Sequence, residues 1–223
     1  MVAVLAGTLV GVLVGSRLPP GLQERVLAGL GLVTLVIGMD LALTWRETNS
    51  LYVLGAVLLG GMLGELLAIE RRLERLGDAI QAHVSRGGGT RVSEGFVTAS
   101  LLFCVGPLAV VGPIQDGLTG DYQTLATKSV LDGFASIALA STLGWGVGLA
   151  AAFVLVFQGS IALGAGVFEQ ILVGERLAAL TSTGGVLIIG IAVKLLALKD
   201  VKVGNFLPAL PIAPALVGLT AAL

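Results

Sequence analysis

The chain has one cysteine and one histidine in 223 residues. A lone Cys104 excludes an intramolecular disulfide, and one His with one Cys leaves no cluster for a transition-metal site. His83 is far in sequence from Cys104, and no acidic cluster has metal-ligand spacing, so the pattern predicts neither an enzyme nor a cofactor. Charge is scarce as well: 12% of residues are Asp, Glu, Lys or Arg, about half the ~25% usual in soluble domains. The formal net charge of −1 provides no basic field, which excludes nucleic acid as an expected partner. Nor is there a polar segment long enough to fold as a separate soluble domain.

Apolar length takes the place of these features. Hydrophobic residues make up 56% of the chain and the mean hydropathy is +1.00. Apolar runs near the ~20 residues needed to cross a bilayer recur from end to end. The expected fold is all-α: a polytopic transmembrane helical bundle of about eight segments, in a single transmembrane domain over 1–223. Glycine, at 33 of 223 residues, is about twice its usual ~7%. Small residues let membrane helices approach closely, so small-residue interfaces are expected, and the same surfaces suit a homo-oligomer.

Segments are expected at about 2–14, 27–44 and 51–69, with a brief interfacial turn at 21–25. The first run lacks a positive n-region and is followed by Arg17-Leu18-Pro19-Pro20, which reads as a retained helix rather than a signal peptide. From Glu70 toward Arg91 the charged residues alternate with Leu73, Leu76 and Ile80 at helical spacing, as in an amphipathic surface helix. A polar loop, Arg86-Gly87-Gly88-Gly89-Thr90-Arg91, ends it. Two segments fill Glu94 to Gly144, and three more follow at about 147–166, 177–198 and from Asn205 onward, the last made irregular by Pro208, Pro211 and Pro214. If the 70–93 connector is cytoplasmic, nine Lys and Arg fall on that side against three on the other, with Lys194 inside a helix; this accounts for all 13.

The stretch Glu94 to Gly144 holds nearly all the unusual chemistry. Glu94-Gly95-Phe96-x-Thr98 with Gly106, and Asp132-Gly133-Phe134-x-Ser136 with Gly144, are one motif used twice, 38 residues apart. Between the copies, Gly106-Pro107 and Gly112-Pro113 are expected to break the helix and free backbone groups. An offset of 152 residues also aligns Gly7-Thr8 with Gly159-Ser160 and Val36-Ile37-Gly38 with Ile188-Ile189-Gly190. The two offsets predict inverted repeats, one over 2–69 plus 94–113 and the other over 125–223, with the 70–93 connector between them.

Three elements also carry a resemblance: Gly-Pro-x-Ala-x-x-Gly from Gly106 to Gly112, Lys128-Ser129-x-x-Asp132-Gly133, and Asn205-x-Leu207-Pro208-Ala209-Leu210. The chain resembles, over essentially its whole length, the bacterial membrane family called domain of unknown function 554, the YqgA-like proteins. That resemblance implies a multi-pass protein of the cell inner membrane and is compatible with transport. It supplies no substrate and no functional residues to carry over.

Buried charge marks ion and solute pathways in membrane proteins. The expected function is a carrier or channel for a small solute or ion, in contact with the lipid bilayer. Its site would use Glu94, Asp116, Lys128 and Asp132 for charge, Thr98, Gln115 and Ser136 for hydroxyl or amide groups, and the turn at Gly106 and Pro107 for backbone dipoles. The alternative is a structural or regulatory multi-pass protein whose glycines serve only packing and whose Glu94 and Asp132 only stabilise helix N-termini.

Overall fold

The computed structural model describes residues 1–84, 91–105 and 108–220. In chain order the helices are α1 (Val2–Gly15), α2 (Pro20–Ala42), α3 (Ser50–Leu66), α4 (Ile69–Val84), α5 (Arg91–Cys104), α6 (Leu108–Thr119) and α7 (Gln123–Leu143). They continue with α8 (Gly146–Leu163), α9 (Ala165–Ile171), α10 (Glu175–Leu195) and α11 (Ala209–Thr220). Two 3-10 turns, Leu43–Glu47 and Val203–Phe206, extend α2 and lead into α11, and no strand occurs among the described residues. In hydrocarbon every backbone group must be satisfied within its own segment, which is why an apolar chain of this kind is all helix.

Among the described residues, four stretches are long and apolar enough to cross a membrane: Gly21–Glu47, Gly146–Leu163, Glu175–Leu195 and Val203–Thr220. Two bent pairs raise the number to six: α3 with the start of α4, bent by 52°, and α5 with α6, bent by 59°. The other two expected segments fall short of that measure. α1 has 14 residues, or about 21 Å of helix against a hydrocarbon core of ~30 Å. α7 is long enough but is diluted by Lys128, Asp132 and several hydroxyl residues. The chain is thus an all-α, multi-pass membrane protein whose apolar outer faces contact the bilayer.

Local chemistry moves several boundaries. Pro20 stands at the start of α2, where its fixed φ and missing N–H cost nothing, so 21–25 are the first turns of a helix rather than an interfacial turn. Pro113 lies inside α6, which runs on through it, so Gly112-Pro113 does not break the chain. The hydrogen bond that Pro113 forgoes is a single one, to the Ala109 carbonyl in the first turn of the helix. Gly106 and Pro107 lie outside the described residues, as do residues 85–90; of the expected polar loop only Arg91 is described, and it opens α5. Lys128, counted above with the loops, is a buried residue in the second turn of α7.

Close helix pairs set the architecture. In α1, Gly7, Gly11 and Gly15 face Gly133, Ile137 and Ser141 of α7, and a Cβ at Gly11 would stand 2.5 Å from the Ile137 carbonyl oxygen. Only glycine permits that approach. Both sets of numbers rise together, so α1 and α7 run parallel. α8 likewise runs parallel to the α5–α6 pair, with Gly146 against Val92 and Gly117 against Ala162. α2 is antiparallel to α10, with Gly38 on Ile189 and Gly185 on Ala42, and α3 is antiparallel to α11, with Gly60 on Ala209 and Gly64 on Asn205. The 152-residue offset equates Gly7 with Gly159, yet Gly159 has nothing within 4 Å of where a Cβ would be, so the packing does not equate them. At the centre, Phe103, Leu139, Val147 and Ile191 are fully buried, and the Phe96 and Phe153 rings meet edge to face at 6.4 Å.

Candidate functional site

Lys128 and Asp132 are one helical turn apart on α7, and the ammonium donates to the carboxylate. Their side chains are 8% and 14% exposed. The Lys128 Nζ also lies 6.0 Å from the centre of the Phe103 ring on α5, a cation–π geometry. Both charged residues line a cleft of about 430 Å³ between α2, α5, α6 and α7, whose other walls include Val33, Leu102, Leu108 and Ala135. The cleft reaches the junction where α5 ends and α6 begins. A mutually neutralised pair in such walls can release either partner to a ligand: Lys128 to an anion, or Asp132 to a cation.

The remaining expected residues do not all converge there. Ser136 is buried on α7, but its hydroxyl donates to the Asp132 backbone carbonyl at 2.6 Å, so it is occupied within the helix. Thr98 is buried on α5. Gln115 is exposed near the end of α6, where its side-chain oxygen accepts from the Thr124 hydroxyl at 2.6 Å; Asp116 beside it is half-buried. Glu94 is exposed and lines a separate pocket of about 620 Å³ with Glu74, Lys194, Lys199 and Asp200. The twin motifs therefore sit in different surroundings: Phe96 is buried and Phe134 is 70% exposed.

Beside the Glu94 pocket lies a polar cluster around the buried Glu70 and Asn205, which the spacing of the sequence does not assemble. Glu70, at the bend between α3 and α4, is 2% exposed; its carboxylate accepts the Gly204 N–H at 2.8 Å and pairs with Lys194 at 3.4 Å. Lys194 also reaches Asp200 at 3.4 Å. Asn205 accepts the Glu70 backbone N–H at 2.8 Å and donates to Glu65 at 2.6 Å. This cluster joins α3, α4, α10 and the turn before α11. One signal was available: Lys194 inside an apolar run demands a partner. Its buried partner Glu70 lies 124 residues away in the chain, which spacing alone does not reveal. Among the described residues no group of three His, Cys, Asp or Glu is placed to hold a metal ion.

Comparison with known proteins follows from this geometry. A family model described as "Protein of unknown function (DUF554)" matches residues 1–218. The chain is 33% identical over 219 residues to the "Uncharacterized membrane protein YdfK" of Bacillus subtilis (strain 168), covering 97% of this chain and 92% of that one. It is 28% identical over 215 residues to the "Uncharacterized protein YqgA" of Escherichia coli (strain K12), covering 95% and 91%. No solved structure matches it. With its whole helical bundle spanned by the family model, the chain belongs to the DUF554 family of membrane proteins.

Proposed function

We propose that the protein is a carrier or channel of the cell inner membrane that passes a small solute or ion through the cleft at Lys128 and Asp132. The observation that carries this reading is an ion pair held almost out of water beside the bend between α5 and α6. Apolar residues of similar volume would pack α7 at least as well, since burying a charge pair often gains nothing in stability. A pair kept at such a position suits a pathway, where ionisable groups are used.

The helix packing supports the same reading. Exchanging α1 with α8, α2 with α10, α3 with α11, and α5–α6 with α7 carries the parallel and antiparallel pairs described above onto themselves. Helices that pair with their own repeat mates must then be antiparallel, and α2 with α10 and α3 with α11 are. Thr8 of α1 meets Gly148 of α8, so this exchanged pair is also in contact. Such an exchange is what the inverted-repeat plan of secondary transporters would produce, and it supports that reading.

The test is flux in vesicles reconstituted with the full chain, using a panel of inorganic cations, inorganic anions and amino acids. At least one class crosses with the unaltered protein, and Asp132→Asn and Lys128→Ala abolish that flux while still inserting. Unchanged flux in both variants overturns the proposal. A second reading, a structural membrane protein, is favoured by the self-neutralised pair and by the dispersal of Glu94, Gln115 and Asp116. Absence of flux across the whole panel would select it.

A further inference from the structure

A second large cavity shares one wall residue, Val105 at the end of α5, with the Lys128 cleft. It has a volume of about 710 Å³ and is lined by apolar side chains of α6, α8, α9, α10 and α11 and by Cys104 and Val105 at the end of α5; Phe157, Ile161, Leu210 and Pro214 are among them. Its one charged lining residue is Arg176. The guanidinium forms no hydrogen bond or ion pair among the described residues. It lies against α11 at Gly218, where a Cβ would stand 3.1 Å from the guanidinium nitrogen, so the missing side chain makes its room.

Arg176 is the second residue of α10, whose N-terminus has no side-chain cap. The neighbouring Glu175 carboxylate is turned away, accepting from the Thr48 hydroxyl at 3.2 Å and from the Asn49 N–H at 3.4 Å. A cation at the positive end of a helix is unfavourable by itself. An unpaired guanidinium beside the Glu175 and Leu177 N–H groups, left open while those of Arg176 and Ala178 donate to the Val173 and Gly174 carbonyls, makes a site for an oxyanion, above all a phosphate. Below it, the groove follows α11 from Gly218 to Leu210, about 12 Å of helix. That is close to one leaflet, half of a ~30 Å core.

We propose that this groove binds an anionic phospholipid of the bilayer, with its phosphate on Arg176 and the α10 N-terminus and an acyl chain along α11 and α8. The groove touches the Lys128 cleft at Val105 but Arg176 is outside that cleft, and the proposal does not depend on transport. The guanidinium, left without a protein partner at the mouth of an apolar groove, fixes both the charge and the amphipathic character of the occupant.

The full chain, purified in detergent, is titrated with phosphatidylglycerol and with phosphatidylcholine of the same acyl chains, and bound lipid is counted by native mass spectrometry. Phosphatidylglycerol binds roughly ten-fold or more tightly than phosphatidylcholine, because it lacks the choline ammonium whose charge opposes the guanidinium. Arg176→Gln brings phosphatidylglycerol to the phosphatidylcholine level. Ala215→Phe, at an exposed position lining the groove, weakens both lipids. Equal affinities in the unaltered protein, or full phosphatidylglycerol selectivity in Arg176→Gln, overturns the proposal. So does unchanged lipid binding in Ala215→Phe, or inorganic phosphate that saturates the site and leaves lipid binding unaffected.

Discussion

Replacing Asp132 by Asn leaves the Lys128 ammonium, at 8% side-chain exposure, without its counter-charge. Removing one member of a buried ion pair costs about 3–5 kcal/mol, because the other charge stays buried and uncompensated. Lys128→Met strands the carboxylate in the same way and has a loss of the same order. The double variant Lys128→Met/Asp132→Leu removes both charges and fills the space with apolar groups. Its stability therefore returns to within about 1 kcal/mol of the unaltered protein, or exceeds it. The two single losses then fail to add by several kcal/mol, far beyond the ~0.3–0.5 kcal/mol tolerance of independent sites. Unfolding in mixed micelles with increasing denaturing detergent measures all four corners of the cycle. Flux measured on the same double variant separates stability from function: it is folded and inactive. Additive single losses would refute the packing argument, and flux retained in the stable double variant would remove the pair from the pathway.

Asn205→Ala takes away one accepted and one donated hydrogen bond, at 2.8 and 2.6 Å, and leaves the Glu70 N–H unanswered in a buried place; a loss of about 1–3 kcal/mol is expected in the same unfolding assay. Asn205→Asp keeps the acceptor but sets a carboxylate against Glu65, so it should be no better tolerated than alanine. The sidedness of the connector is tested by placing a cysteine at the exposed Arg75 of α4 in a Cys104→Ser background. In intact cells an impermeant maleimide should leave it unlabelled until the membrane is opened, as the Lys and Arg distribution requires.

Helicity and membrane residence were legible in the residues themselves. A chain with 12% charge and apolar runs throughout can satisfy its backbone in lipid in few ways, so composition alone determined an all-α, multi-pass protein. The pairing of Lys128 with Asp132 was legible too, because residues four apart on a helix share a face. Prolines were a poorer guide. Gly112-Pro113 has the same two residues as Gly106-Pro107, yet α6 continues through it, because one lost hydrogen bond is within what a packed helix tolerates. The twin acids at 94 and 132 promised one shared site. Tertiary packing divided them, since α5 begins and α7 runs at different places in the bundle, leaving Glu94 in an exposed pocket and Asp132 in an apolar cleft. The cluster of Glu65, Glu70, Lys194 and Asn205, and the unpartnered Arg176 over its groove, depend on contacts between residues far apart in the chain. Helical periodicity specifies which face a side chain occupies, and only the packing of helix on helix decides what stands opposite that face.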